Sequence, residues 1–338
     1  GSQLIYHALA HRGEEALSLV SPATPYVCIG FHQDLELEVD TAFCRDQGIP
    51  VFRRDLGGGA VYLDGNQLFF QLILRMDNPA VPRRKDAFYR KFLAPIVGVY
   101  REIGIPAEYK PVNDVIVGTR KISGTGVGEI GDFIVFVGNL IVDFDYGTMA
   151  RVLRVPDEKF RDKVHQTLVE NLSTIRRELG PEAAAAWDEE RLNSMTARAF
   201  QDLLGPMEPA VKGPELEAEI ERLRERMTDE AWLLRKGKPV LERSVKIRAG
   251  VNVVHRAHKA PGGLIRTVFE SRDGRFGNLR ISGDFFCYPE EAIQRLERML
   301  EDRTAGEVEG VLDRFYREFE VETPGIEKSD WLEVFTMV

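Results

Sequence analysis

Cysteine is scarce in this chain, with three in 338 residues: Cys28, Cys44 and Cys287. Their spacing matches neither a zinc-ligand set nor a disulfide framework, and so few thiols suit a reducing compartment. Histidine is scarce too, at six, which leaves little material for a histidine-rich metal centre. No apolar run is long enough to span a bilayer, and no secretory leader is recognisable. Positive charge is not in excess. Lys and Arg number 45 against 54 Asp and Glu, a formal net charge of −9. That balance offers no basic field for DNA or RNA. These absences predict a soluble, cytoplasmic protein with neither nucleic acid nor membrane as partner. Gly1-Ser2 reads as the scar of a cleaved tag.

What is present is an ordinary apolar content, 43%, enough for a full core. The length suggests about two domains at roughly 150 residues each. From Pro25 to Lys121 short apolar runs bounded by glycine read as strands, among them Tyr26 to Ile29, Ala60 to Tyr62 and Leu68 to Leu74. A helix is predicted from Lys85 to Ile103, where Phe88, Phe92, Ile96 and Tyr100 recur at a spacing of four. Strands are expected at Val115 to Val117 and Phe133 to Val142. Residues 149–204 read mostly as helix, broken near Asn171 to Thr174 and Gly180-Pro181, with Ser173 as a candidate cap. Gly205 to Pro214 reads as a loop and Glu215 to Met227 as a charged helix. The composition changes again near Asp229. Strand candidates follow at Ser244 to Ile247, Val251 to His255, Leu264 to Ser271 and Leu279 to Ser282, then a helix from Pro289 to Glu301. The expected division is therefore a large domain over residues 1–228 and a smaller one over 229–338.

The most informative stretch is Arg53-Arg54-Asp55-Leu56-Gly57-Gly58-Gly59-Ala60-Val61-Tyr62. Three consecutive glycines make poor core, because each loses much conformational freedom on folding. They suit a backbone that approaches a ligand closely and offers N–H groups to negative charge. Two arginines beside them can pair with carboxylate or phosphate oxygens. The same residues also suit a hairpin turn with surface arginines. No Gly-Lys-Ser/Thr follows, so this is not a P-loop, and the glycine spacing is not that of a dinucleotide fingerprint.

A second stretch runs Asn113-Asp114-Val115-Ile116-Val117-Gly118-Thr119-Arg120-Lys121-Ile122-Ser123-Gly124. A lysine between strand residues and small residues can stabilise charge developing on a carboxylate or phosphate. Asp114 can hold magnesium, which favours carboxylate and phosphate oxygens. Read alone, Lys121 suits an exposed hairpin lysine better, and Asp114 a turn cap.

Taken together, the two stretches resemble the lipoate–protein ligase A family of the biotin/lipoyl ligase superfamily. That family's pattern is close to Arg-Arg-x-Ser-Gly-Gly-Gly-Ala-Val-Tyr-His-Asp, followed further along by Asn-Asp and then Arg-Lys-Ile-Ser-Gly. Pro25 to Gln33 and Gly138-Asn139-Leu140-Ile141 extend the likeness. The resemblance implies an α+β fold: a mixed-sheet catalytic domain with a smaller α/β C-terminal accessory domain. It implies an AMP-forming ligase that uses ATP and Mg2+ to activate lipoate as lipoyl-AMP. The lipoyl group then passes to a lysine of a lipoyl carrier protein. By the same carry-over Lys121 is the catalytic group, contacting the carboxyl and phosphate of the adenylate, with Ser123 and Gly124 beside it. Arg54, Gly57, Gly58, Gly59, Ala60 and Val61 line the lipoyl and phosphate region. Asn113 and Asp114 lie near the phosphates, with Asp114 on the metal. Val61, Tyr62 and Phe70 suit an apolar lipoyl tunnel. Lys259-Ala260-Pro261-Gly262-Gly263 resembles the Lys-x-Pro-Gly-Gly motif of the accessory part, which makes Lys259 an adenylate-facing or docking candidate. A metal site at the neighbouring His255 and His258 is not expected.

The chain departs from the family pattern at Leu56, Leu63, Asn66 to Gln71 and Gly138-Asn139. These changes bear on substrate detail more than on fold. Three other readings stand beside the ligase. One is a lipoyl or octanoyl transferase on the same fold, which needs a cysteine nucleophile; Ser123 to Gly128 holds none. The others are biotin ligation and a catalytically silent lipoate-binding protein. Arg83-Arg84-Lys85 is a candidate basic patch for an acidic carrier.

Overall fold

A computed structural model of the chain describes residues 2–155, 157–235, 246–248 and 251–336. Its strands in chain order are β1 (Ala16–Val20), β2 (Tyr26–Ile29), β3 (Val51–Arg53), β4 (Val61–Leu63), β5 (Gln67–Arg75), β6 (Glu108–Lys110), β7 (Asp114–Val117), β8 (Arg120–Ser123), β9 (Thr125–Ile130), β10 (Phe133–Ile141), β11 (Lys246–Arg248), β12 (Val251–Ala260), β13 (Gly263–Arg272) and β14 (Arg275–Gly283). They form four sheets, ordered β1-β5-β10-β9, β3-β2-β4, β6-β7-β8 and β11-β12-β13-β14. Helices accompany them throughout, giving an α+β protein. None of the described helices is long and apolar enough to cross a membrane.

The chain divides into two compact units. The first holds Gly1–Cys28, Val39–Phe52 and Val61–Trp232, and the second Ile29–Glu38, Arg53–Ala60 and Leu233–Val338. Two short excursions of the N-terminal sequence thus belong with the C-terminal residues. Ile29–Glu38 carries no compositional signal that separates it from its neighbours, and Arg53–Ala60, distinctive for its glycines, carries none that says which unit it joins.

In the first unit, β5 and β10 pair antiparallel from Phe133↔Arg75 to Ile141↔Gln67. Both strands are nearly continuous apolar runs and are buried along almost their whole length. Such runs fit strands covered on both faces. The helix Lys85–Glu102 supplies one cover, and the spacing read in the sequence is its buried stripe: Phe88, Phe92, Ile96 and Tyr100 are at most 1% exposed. Phe136 lies 5.7 Å from Phe88 and 5.3 Å from Phe70, centroid to centroid. Each fully buried large side chain contributes about 2 kcal/mol, so this aromatic cluster anchors the sheet. A second cluster gathers Leu4, Ala8, Tyr26, Phe52, Leu63 and Phe69 with Leu223 and Met227. It draws in the N-terminal helix Ser2–His11 and the charged helix Pro214–Thr228. The N-terminal helix and β1 were not legible as elements. In the 149–204 region the cap of the Ile175–Leu179 helix is Thr174, whose side chain accepts from Arg177 N–H; Ser173 instead donates its hydroxyl to Glu178.

In the second unit, β12, β13 and β14 form an antiparallel meander. Helices Ala292–Leu300, Val308–Glu318 and Lys328–Val334 pack on it around Phe269, Phe276, Leu296, Leu312, Phe315 and Trp331. The strand candidate at Ser244 to Ile247 is partly covered: β11 begins at Lys246, while Ser244 and Val245 lie outside the described residues.

Candidate active site

The hairpin β7–β8 places Lys121. Its register pairs Val115 with Ser123 but Ile116 with Lys121, so Ile122 is an extra residue on the second strand. A bulge of this kind re-aims the side chains around it. Val115, Ile122 and Ser123 are buried, whereas Asp114, Ile116 and Lys121 share the partly open face. There the Lys121 ammonium sits 2.6 Å from Asp114 Oδ1, with the two side chains 35% and 30% exposed. The pair is solvated enough for a competing anion to exchange into it. Asn113 is fixed beside it, donating Nδ2–H to Thr125 O at 2.6 Å. The Ser123 hydroxyl is fully buried and has no hydrogen-bond partner among the described residues. Leaving such a group unmet costs about 1–3 kcal/mol, which marks a place where a ligand oxygen would be welcome.

Next to this pair runs a buried polar chain that the motifs did not reveal. Gly124 N–H donates to Asn139 Oδ1 at 2.8 Å, Asn139 Nδ2 donates to Gln67 Oε1 at 2.9 Å, and Gln67 Nε2 donates to Tyr62 O at 3.1 Å. A methyl built on Gly124 would lie 3.7 Å from Lys121 Cε, so the lysine stem passes over that glycine. The available signal was an amide in the midst of an apolar strand, since a buried amide requires partners. Val61 is half-buried and Tyr62 nearly buried, with its phenol pushed up to about 12 by burial and by Asp64 and Asp145. Phe70 is 1% exposed. Its ring occupies the space a side chain at Gly138 would need, since a Cβ there would be 2.3 Å from Phe70 Cζ.

The glycine loop belongs to the second unit. Arg53 is fully buried and donates to the carbonyls of Gly30 (3.0 Å), Phe31 (3.1 Å) and Gln33 (2.7 Å). Arg54 turns onto the loop itself, donating to Gly57 O at 2.7 Å and Gly59 O at 2.9 Å. Two guanidiniums that look alike in sequence thus both shape main chain here. Gly58 N–H donates to Phe285 O at 3.1 Å. A Cβ at Gly57 would lie 2.6 Å from that same carbonyl, and Gly58 has φ of +90°, so neither position admits a side chain without strain. Ala60 closes the loop. Lys259, 67% exposed, lies 3.7 Å from Asp284 Oδ2. Pro261-Gly262 form the two-residue turn of the β12–β13 hairpin, where Ala260 pairs with Gly263.

All three cysteines are buried and unbridged. Burial and Asp40 push the Cys44 thiol up to about 11. Among the described residues, no group of three or more His, Cys, Asp or Glu side chains is placed to hold a metal. His258 contacts Asp330 at 2.7 Å. In the basic run, Lys85 is buried against Glu129, whereas Arg83 is exposed and Arg84, paired with Asp86, keeps a side chain that is 79% exposed.

The family model for the lipoyl protein ligase A/B catalytic domain matches residues 2–200. The chain belongs to that family. Lipoate–protein ligase 1 of Staphylococcus aureus is 26% identical over 277 residues, covering 81% of this chain and 77% of the relative. The octanoyltransferase LipM of Kyrpidia tusciae is 25% identical over 254 residues, covering 68% and 91%. Among solved structures, the bipartite lipoate protein ligase of Thermoplasma acidophilum, described with its E2 lipoyl domain, superposes with a TM-score of 0.60 at 23% identity. It covers 71% of this chain and 93% of that one. A lipoate-protein ligase A bound with ATP gives 0.56 at 21% identity, covering 69% and 94%. The biotin/lipoyl ligase fold expected from the motifs is therefore the fold observed.

Proposed function

We propose that this family member is an ATP-dependent, AMP-forming lipoate–protein ligase acting on a lipoyl carrier. The observation that carries the reading is the bulged β8 strand. It sets the Lys121 ammonium at a partly open face beside Asp114 and leaves a buried Ser123 hydroxyl nearby that no described residue meets. In the first step a lipoate carboxylate oxygen attacks the α-phosphorus of ATP and pyrophosphate leaves. Two anions must approach each other, and the Lys121 cation offsets their repulsion. In the second step a carrier lysine amine attacks the acyl carbon and AMP leaves, with Lys121 again facing the phosphate. Magnesium held largely by phosphate oxygens needs one or two protein carboxylates, and Asp114 fits as one. When bound, the ion neutralises phosphate charge. Arg54, the Gly57–Ala60 backbone and Lys259 would serve the nucleotide and acyl side, while Val61, Tyr62 and Phe70 would meet the apolar chain. The ATP-bound and lipoyl-domain-associated neighbours support these substrates and this kind of partner.

A thioester route through cysteine is the second reading, since the LipM relative is a transferase. Burial of Cys28, Cys44 and Cys287, and the raised Cys44 thiol, argue against it because the thiolate is the nucleophile. One assay separates the two. With ATP, Mg2+ and lipoate the protein should release pyrophosphate, and a cysteine-free variant should retain that activity. Failure to release pyrophosphate with lipoate or octanoate sinks the ligase reading. Acyl transfer between carriers without ATP, lost with the cysteines, would establish the other.

A further inference from the structure

The Lys121 side chain extends from a strand that is held at three main-chain groups between Lys121 and Gly124. Lys121 O accepts from Ser173 N–H at 2.8 Å. Ile122 O accepts from the Tyr100 hydroxyl at 2.7 Å. Gly124 N–H donates to Asn139 Oδ1 at 2.8 Å. The first tether is backbone to backbone and any sequence can make it. The other two depend on side-chain identity, and both groups are deeply buried: Tyr100 is 0% exposed and Asn139 6%. Each is itself braced against the central sheet. The Tyr100 oxygen also accepts from Ile141 N–H at 3.2 Å, and Asn139 Nδ2 donates to Gln67 Oε1 at 2.9 Å.

Position matters here because Ile122 is the residue that makes the bulge. An unpaired residue in a ladder loses its cross-strand partner, and a bulged strand can relax back to regular register. In regular register Lys121 and Ser123, two residues apart, would share one face, so relaxation would either turn Lys121 to the buried face or bring Ser123 out to the open one. Tyr100 supplies the Ile122 carbonyl with a donor from the helix Lys85–Glu102, and Asn139 fixes the residue after Ser123 from β10. The register is thus held from two different elements, one on each side of Ser123.

We infer that Tyr100 and Asn139 are positioning residues for Lys121, locking the β8 bulge so that the ammonium stays on the face of Asp114. The inference rests on the role assigned to Lys121 above. It predicts a loss of rate without a loss of substrate affinity, because neither residue is itself at the open face. Losing one hydrogen bond that fixes a reacting group lowers kcat by about tenfold.

The test compares Tyr100→Phe, which keeps the ring and removes only the hydroxyl, with Asn139→Leu and Asn139→Asp. Asn139→Asp retains an acceptor for Gly124 N–H. Two quantities are read on the full-length chain. One is kcat and KM for ATP and lipoate from pyrophosphate release. The other needs no activity: the rate at which acetic anhydride labels Lys121, measured by mass spectrometry relative to the exposed Lys212. The expected result is a fall of about tenfold in kcat for Tyr100→Phe and Asn139→Leu, with KM changed less than about twofold. Asn139→Asp should recover part of that loss. Labelling of Lys121 should shift at least about twofold in the same two variants. Unchanged Lys121 labelling in both, or a loss confined to melting temperature with kcat intact, overturns the inference. If the wild type releases no pyrophosphate, the ligase reading falls, and the labelling comparison still decides the positioning role.

Discussion

Two cationic motifs lie in different units of this protein, and the fold treats them oppositely. Arg53 is fully buried and spends its guanidinium on carbonyls of its own main chain. Arg54 does much the same for the glycine loop. Lys121 is held by its backbone, while its side chain, 35% exposed, is left with an exchangeable carboxylate. Desolvated guanidiniums that satisfy carbonyls build shape. A solvated ammonium on a rigid strand is available for chemistry. The planar five-donor fork of arginine suits the first task and the compact point charge of lysine the second.

The largest break in this comparison should come from Lys121→Ala. Removing this cation from the open face is expected to lower adenylate formation by about 10³-fold. Because the side chain is solvated, the midpoint of chemical unfolding should hardly move. Arg53→Met should do the reverse. It strands several buried carbonyls and is expected to destabilise the fold by about 3 kcal/mol, read from urea unfolding. An Arg53→Met variant as stable as the wild type would mean that the carbonyls find other donors.

A smaller effect is expected at Gly57→Ala. The added methyl meets the Phe285 carbonyl at 2.6 Å. Some backbone must shift, at about 1–2 kcal/mol. Since Arg54 holds the Gly57 carbonyl, substrate KM should rise as well.

The smallest concerns Glu178, which accepts from Arg120 at 2.9 Å and from the Ser173 hydroxyl, on the segment that tethers Lys121. Burial pushes this carboxyl up, but the Ser173 and Arg120 hydrogen bonds outweigh it and leave it below its ordinary 4.5. A depressed folded-state value means the contribution is complete above about pH 4.5 and is lost as pH falls through the folded-state value. Glu178→Gln should therefore flatten the acid limb of stability against pH by less than about 1 kcal/mol. An unchanged acid limb would detach Glu178 from the Lys121 tether.

The legible and illegible parts of this molecule divide along the range of the interactions involved. The stripe Phe88, Phe92, Ile96 and Tyr100 was readable because helical periodicity is local. The glycine loop and Lys121 were readable because their residue types are unusual for core. Arg53 read as a ligand for anions, since sequence cannot show that Gly30, Phe31 and Gln33 carbonyls converge on it from a segment upstream. Tyr100 read only as the fourth member of an apolar stripe, and its hydroxyl's partner lies on another element. Asn139 appeared as a departure from the family pattern, and its meaning came only with Gly124 and Gln67 beside it. Thr174 rather than Ser173 caps its helix, a one-residue shift that propensity cannot resolve because both residues cap well.

The second unit is assembled from three stretches of chain, and that has a practical consequence. Gly58 N–H bonds to Phe285 O, Gly283 N–H to His32 O, and Glu38 pairs with Arg266. His32 and Phe285 stack with centroids 4.8 Å apart. Residues far apart in sequence are therefore mutual scaffolding. Cutting the chain after residue 235 would nick the molecule rather than split it, because the N-terminal fragment would still carry two segments that bond and stack with the other fragment. Two separately expressed pieces should find each other and complement, whereas residues 1–228 alone would expose segments 29–38 and 53–60 without the surface that orders them.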